Sequence, residues 1–289
     1  MCDRLYQKES ASESGGGPSI LGEGFATGFT ALVAGPGGGA GLGRTDRPEP
    51  RVIWSNPDGD IGFRSWSSTL ELVSTGELLS DSGLNSLSRV QSGDLTYYVK
   101  QYRCRGRHLR RFMGRSRARA EWENLAIFQL LGLKTARPVA FGEDVGGRGI
   151  VVTEAVPGAV DLATLARTAS LVLNAPAFQQ SVVARLAHAT ATLHRAGFGH
   201  GDLKWRNVLV NTETREVFLI DCPQGRMLPG VLLERGRIKD LACLDKVARL
   251  RLTKTCRLRF YKQYAGIGRL DARHKKRIRR ILKFFEGRE

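Results

Sequence analysis

Asp202, Asn207 and Asp221 are the residues of this chain whose types and spacing best suit chemistry. Asp202 stands in His200-Gly201-Asp202-Leu203-Lys204-Trp205-Arg206-Asn207, and the apolar run Val208-Leu209-Val210 follows directly. A second apolar run, Phe218-Leu219-Ile220, ends at Asp221. An acid, an amide five residues on, and a second acid at the end of the next strand is the pattern of a phosphoryl-transfer loop. Asp202 is placed to take the proton of an attacking hydroxyl. Asn207 faces the same cleft and can hold a metal ion, and Asp221 supplies the charged ligand for Mg²⁺ bridging nucleotide phosphates. Such transfer rests on positioning and charge neutralisation, so two acids, an amide and one lysine suffice.

That lysine must come from elements that precede the loop. Residues 81–100 read as strand, turn and strand, with a hairpin signal at Gly93-Asp94 and the ending Val99-Lys100. This is the form expected of a loop covering the nucleotide and a strand carrying a phosphate-binding lysine. The loop is poor in glycine, with Gly83 alone available, so small Ser86 and Ser88 are candidates for letting the backbone approach phosphate. Residues 51–99 as a whole read as short strands and turns.

A helix over 117–131 stops at Gly132 and carries Glu121, Leu125 and Phe128 on one face. Glu121 is therefore favoured as the partner that holds Lys100, with Glu123 as its rival. Two strands, 138–143 and 149–156, close a small sheet. Beside Pro157-Gly158, the backbone of Glu154 to Val156 is placed to face an adenine. An amphipathic helix over 178–196 leads into the Asp202 loop, with His194 read as a packed structural histidine.

Bulk properties narrow the partners. The 289 residues carry 45 Lys and Arg against 28 Asp and Glu, a net charge of +17. Such a balance points to an anionic membrane surface, a polyanionic substrate or nucleic acid. The five cysteines are odd in number, widely spaced and without a C-x-x-C pair, which argues against a disulfide framework or structural zinc and for a reducing cytosol. No apolar run is long enough to span a bilayer. Residues 1–50 are glycine-rich and read as a disordered tail. Two glycine motifs inside it lack the helix that phosphate binding needs, because Pro48 and Pro50 follow. Basic stretches at 103–119 and 269–283, the latter with the apolar stripe Ile278, Ile281, Leu282 and Phe285, suggest peripheral contact with an anionic membrane face.

Taken together, Val99-Lys100, Glu121-Trp122, Thr153-Glu154, the His200–Asn207 loop, Ile220-Asp221, Arg237-Ile238-Lys239-Asp240-Leu241-Ala242 and Arg259-Phe260-Tyr261 resemble the Kdo/WaaP lipopolysaccharide kinase family, over roughly residues 79–266. The resemblance implies an α+β, bilobal protein-kinase-like fold, with a β-rich N-lobe over 51–156 and a helical C-lobe over 157–289. It implies ATP and Mg²⁺, and transfer to a sugar hydroxyl of the lipopolysaccharide inner core by a cytoplasmic enzyme, peripheral on the inner face of the inner membrane. By match, Lys100 binds phosphate, Asp202 and Lys204 form the catalytic set, and Asn207 and Asp221 hold the metal.

The chain departs from protein kinases in two places. Asp221-Cys222-Pro223 stands for Asp-Phe-Gly, and Gly201 stands for the usual arginine of the loop. Only about nineteen residues separate Asp221 from Asp240, which leaves little room for a peptide-docking loop and favours an anionic glycolipid or sugar acceptor. A small atypical protein kinase or an aminoglycoside-type phosphotransferase remains a rival, as does a non-catalytic basic module on the same scaffold. Nucleic acid is the less favoured partner.

Overall fold

The structure, a computed structural model, describes residues 52–106, 114–168 and 171–287. The tail read as disordered, and residues 107–113 of the first basic stretch, lie outside the described residues.

β-Branched and aromatic residues in alternation build the first lobe. Six strands form one antiparallel sheet: β1 (Val52–Ser55), β2 (Glu77–Asp81), β3 (Asn85–Ser92), β4 (Leu95–Tyr102), β5 (Pro138–Asp144) and β6 (Gly149–Glu154). Their order is β1-β5-β6-β4-β3-β2. Successive side chains of a strand point to opposite faces. Tyr97 and Val99 of β4 thus join Val90, Val139, Ile150 and Val152 in a core on one face. Tyr98 and Lys100 turn to the other face and line a cleft.

Between β1 and β2 the sequence reading fails. Residues 66–75 were expected as strand and turn but form helix α1 (Trp66–Thr75). Ser65 and Ser68 close a capping box at its start, satisfying backbone donors that strand pairing would otherwise take. Trp66, Leu72 and Val73 then seal the sheet's outer core. Ser, Thr and Val mask the helix, because their propensity is low and the cap and packing decide.

Helix α2 (Arg117–Leu130) packs on the cleft side of the sheet and places Ala120, Glu121, Asn124, Leu125 and Phe128 inward. The second lobe is mostly helical. It contains β7 (Ala159–Asp161), α3 (Leu162–Arg167), α4 (Leu171–Asn174), α5 (Pro176–Arg195), β8 (Phe198–Gly199), β9 (Val208–Asn211), β10 (Val217–Leu219), β11 (Arg226–Met227), α6 (Gly230–Arg251), α7 (Lys254–Ala265) and α8 (Ala272–Leu282). Two small sheets, β10-β9-β7 and β11-β8, sit at its top and aim the intervening loops at the cleft. One continuous core joins Phe128 and Leu125 of α2 to Leu193, Phe198, Leu203 and Val208 below.

Helix α8 corrects the interfacial reading. Ile281 is buried, and Ile278 and Phe285 pack with it against Ala187, Ile238 and Tyr261. The apolar stripe is therefore part of the protein core, with Leu282 alone of the four exposed. Arg277 is drawn in too, paired with Glu234 at 2.7 and 2.9 Å.

Candidate active site

The cleft between the lobes has a volume of about 1840 Å³. Lys100 reaches into it from β4 because period two puts it opposite the buried Val99. Its ammonium lies 3.1 Å from Glu121 and also bonds Asp221. Glu123, the rival, pairs instead with Arg115 at 2.6 Å. Tyr102, two residues beyond Lys100 on the same strand face, donates its hydroxyl to Glu121.

Burial works against the Lys100 ammonium, but Glu121, Tyr102 and Asp221 outweigh it and hold Lys100 well above its ordinary range. Of the two carboxylates, Glu121 is pushed up by burial in spite of the lysine. Asp221 is also raised by burial, but Lys100 outweighs that and leaves it below the usual value.

The lower wall is the 200–207 loop. Asp202 lies 2.6 Å from the Lys204 ammonium and 3.7 Å from Arg206. Asn207 donates its amide to the Asp202 carbonyl at 2.8 Å, which folds the loop so that both side chains share one edge. The Ile220 N–H donates to the Asn207 carbonyl at 3.1 Å, fastening the strand before Asp221 to the same loop. Asp221 itself has φ +55°, one of two described non-glycine residues in the left-handed region. That conformation costs about 1–3 kcal/mol and persists only where the surroundings impose it. Here it turns the carboxylate into the cleft.

Asp240 on α6, fully buried, is the hub beneath. It accepts from the His200 N–H and the Gly201 N–H, both at 2.8 Å, and faces His194 Nε2 at 3.2 Å. His194 is also bonded to the Tyr264 hydroxyl at 2.8 Å, so it packs and anchors. The His200 ring is fully buried and stacks on Phe128. Burial pulls it below the ordinary histidine range.

The sequence pattern of the "Lipopolysaccharide kinase (Kdo/WaaP) family" matches residues 76–264. The chain belongs to this family. Among solved structures, one titled "WaaP in complex with acyl carrier protein" superposes with a TM-score of 0.57 at 24% identity, covering 75% of this chain and 93% of that one. It carries the fold, which is the two-lobed, protein-kinase-like α+β arrangement expected. Comparison with curated proteins returns no match.

Within this lipopolysaccharide kinase fold the first of the two departures from protein kinases has a steric cause. Gly201 has φ +79°, and a Cβ there would meet the Gln224 backbone at 3.1 Å, so the usual arginine does not fit. Cys222, in place of phenylalanine, is buried with its thiol on the His200 carbonyl at 3.5 Å. The Asn124 amide of α2 donates to the carbonyls of Cys222 and Gly225 at 2.6 and 3.0 Å, and Arg115 adds a bond to Gly225 at 3.2 Å. The loop after Asp221 is thereby tied to α2.

Other candidates land differently. Ser86 and Ser88 are buried on the face of β3 opposite Leu87, which lines the cleft; Ser86 bonds Gln101 at 3.1 Å. They do not line the cleft, and Ser82, Asn85 and Leu87 do. They alternate with Asn85 and Leu87 along β3, and successive residues of a strand take opposite faces. Glu154 and Val156 line the cleft. The Glu154 N–H and carboxylate are both taken by Arg137, at 2.9 and 2.6 Å, whereas the Val156 N–H has no backbone partner among the described residues. Tyr102 and Asn124 were missed, though both share a face with a recognised residue. Asp240 was seen only as part of a motif; its role depends on contacts 39 and 40 residues away.

Proposed function

We propose that this chain transfers the γ-phosphoryl group of ATP to a sugar hydroxyl of the lipopolysaccharide inner core, Kdo or heptose. The observation that carries the reading is the convergence, on one cleft, of Lys100 held by Glu121, the Asp202–Asn207 loop, and Asp221 forced toward both. Lys100 offers its charge to the nucleotide phosphates, and Val156 its N–H to the adenine. Asp202 takes the proton of the acceptor hydroxyl, and Lys204 places a cation where negative charge develops.

Asn207 and Asp221 present hard oxygen donors, which suit Mg²⁺, an ion that takes one or two protein ligands and completes its shell with phosphate and water. Among the described residues no group of three His, Cys, Asp or Glu side chains is arranged to hold a metal, which fits an ion delivered on the nucleotide. Bound there, such an ion would neutralise charge on the transferring phosphoryl.

The space after Asp221 favours a small or glycolipid acceptor over a peptide. Helix α6 begins at Gly230, so only residues 222–229 lie between the metal ligand and that helix. No helix among the described residues is long and apolar enough to cross a membrane. Contact with an anionic inner-membrane face would be electrostatic, through exposed Arg273, Lys275, Lys276, Arg279, Arg280 and Lys283 of the α8 region. The test is transfer from radiolabelled ATP to intact and delipidated lipopolysaccharide cores, with a peptide pool as comparison. Label in the core and not in peptides is expected; label confined to peptides overturns the reading.

A further inference from the structure

Beyond Asp202 the cleft runs on, away from Val156, along β11 and the first turns of α6. This far end carries three cations that the reaction scheme above does not use: Arg226, Arg235 and Lys239. Their positions are fixed by backbone. Arg226 pairs in register with Gly199, one residue before the catalytic loop. Arg235 and Lys239 are four apart on α6 and so share a helix face, and Lys239 adjoins Asp240, the residue that holds the loop.

Among the described residues these charges have no acidic partner. The cleft is lined by five carboxylates, and each is engaged elsewhere. Glu121 and Asp221 hold Lys100, Glu154 holds Arg137, Asp202 holds Lys204, and Asp161 caps α3. No ion pair to Arg226, Arg235 or Lys239 is formed among the described residues. Like charges at i and i+4 destabilise a helix. A cluster of them along the cleft, with Arg226 and Arg235 exposed at its rim and no acid among the described residues paired with them, serves folding poorly and an anion well. Guanidinium groups in particular favour planar, bidentate recognition of carboxylate or phosphate.

We propose that Arg226, Arg235 and Lys239 form an anion subsite for the acceptor, reading carboxylate or phosphate groups on the sugar next to the one phosphorylated. The subsite rests on the acceptor-side reading of the cleft given above, and it makes the enzyme selective for acceptors already bearing negative charge. Neutral sugars and cationic aminosugars lack the group it holds.

The first arm of the test needs no lipopolysaccharide. Sucrose octasulfate, a polyanionic sugar, is titrated calorimetrically into the protein saturated with ADP. The variant Arg226→Gln/Arg235→Gln/Lys239→Gln is compared with a control of equal charge change, Arg249→Gln/Arg251→Gln/Arg259→Gln, whose residues are exposed and outside the cleft. Loss of three charge-assisted contacts should weaken binding by at least about tenfold in the cleft variant and little in the control. Equal weakening in both overturns the proposal, since it would report net charge alone.

The second arm measures steady-state kinetics on the delipidated core, native or with its carboxylates reduced and phosphates removed. The cleft variant should raise KM for the native core, leave KM for ATP near the parental value, and match the parent on the neutralised core. A parallel rise in KM for ATP assigns the cations to the nucleotide and overturns the proposal. Failure of every protein to use the core, with octasulfate binding still dependent on the three cations, discards the lipopolysaccharide acceptor and supports the subsite.

Discussion

Replacing Asp240 should disable the active site from beneath, without touching any group that meets substrate. Its carboxylate accepts two backbone N–H groups of the catalytic loop at 2.8 Å and neighbours His194, with Asp240, His194 and His200 buried and Gly201 partly so. In Asp240→Ala both N–H groups lose their acceptor, and each orphaned buried donor costs about 1–3 kcal/mol, so about 2–6 kcal/mol in all. At about 2–4 °C per kcal/mol for a domain of this size, a mid-range loss of about 4 kcal/mol lowers Tm by about 8–16 °C. Asp240→Asn keeps one acceptor oxygen but sets an amide NH₂ against one of the same donors, so it should fall between the two. The informative readout is kinetic. Lys100 and Val156, the proposed contacts to the nucleotide from the sheet side, lie outside the loop that Asp240 holds, so in Asp240→Asn KM for ATP should change less than kcat at a temperature where the variant stays folded. Guanidinium titration and initial rates on the same preparation decide it. Parental kcat with parental stability in Asp240→Asn would refute the view that these two bonds set the loop.

Asp221→Asn should lose most phosphotransfer at saturating ATP and Mg²⁺, while Tm stays within a few degrees of the parent; near-parental turnover removes Asp221 from the metal site. Tyr102→Phe keeps the ring beneath Lys100 (5.3 Å) but removes the hydroxyl donated to Glu121, and should cost about 1.5–3 kcal/mol in denaturant titration and raise KM for ATP more than it lowers kcat. His200 gives a pH signature. Its folded pKa is depressed by burial, so below the ordinary value of 6.5 the unfolded chain binds a proton that the folded chain refuses. Stability should therefore decline as pH falls from 6.5 toward the folded pKa, with a limiting slope of about 1.4 kcal/mol per pH unit. His200→Leu should flatten that part of the stability profile, and an unchanged slope would assign it to other groups.

Much of the site was legible because it is local. Asp202 and Asn207 lie within one loop, and β9 and β10 announce themselves as apolar runs that end where Asp221 must stand. Glu121 could be preferred over Glu123 because helical period links it to Leu125 and Phe128, which are buried. What failed was whatever the period left ambiguous. Ser86 and Ser88 were one register off the cleft face. Helix α1 was hidden by residues whose propensity is weak and whose cap is two serines. The α8 stripe was amphipathic as read, but period alone does not say whether an apolar face meets lipid or Ile238 and Tyr261. Asp240 shows the remaining limit, since its motif marks the residue but not the backbone partners some forty residues away that give it its role.

The loop that follows Asp221 has a consequence for chemical inhibition. A compound that gains its grip by driving such a loop outward and filling the space behind it must first release Asn124 from two carbonyls and Arg115 from one, and expose the Cys222 thiol, which burial holds well above its ordinary pKa. It would find a sulfhydryl to displace where a phenyl ring would have left a ring-sized hollow. Ligands against this enzyme are better shaped to the front of the cleft, spanning the N–H of Val156 and the cations beyond Asp202, than to any room behind Lys100.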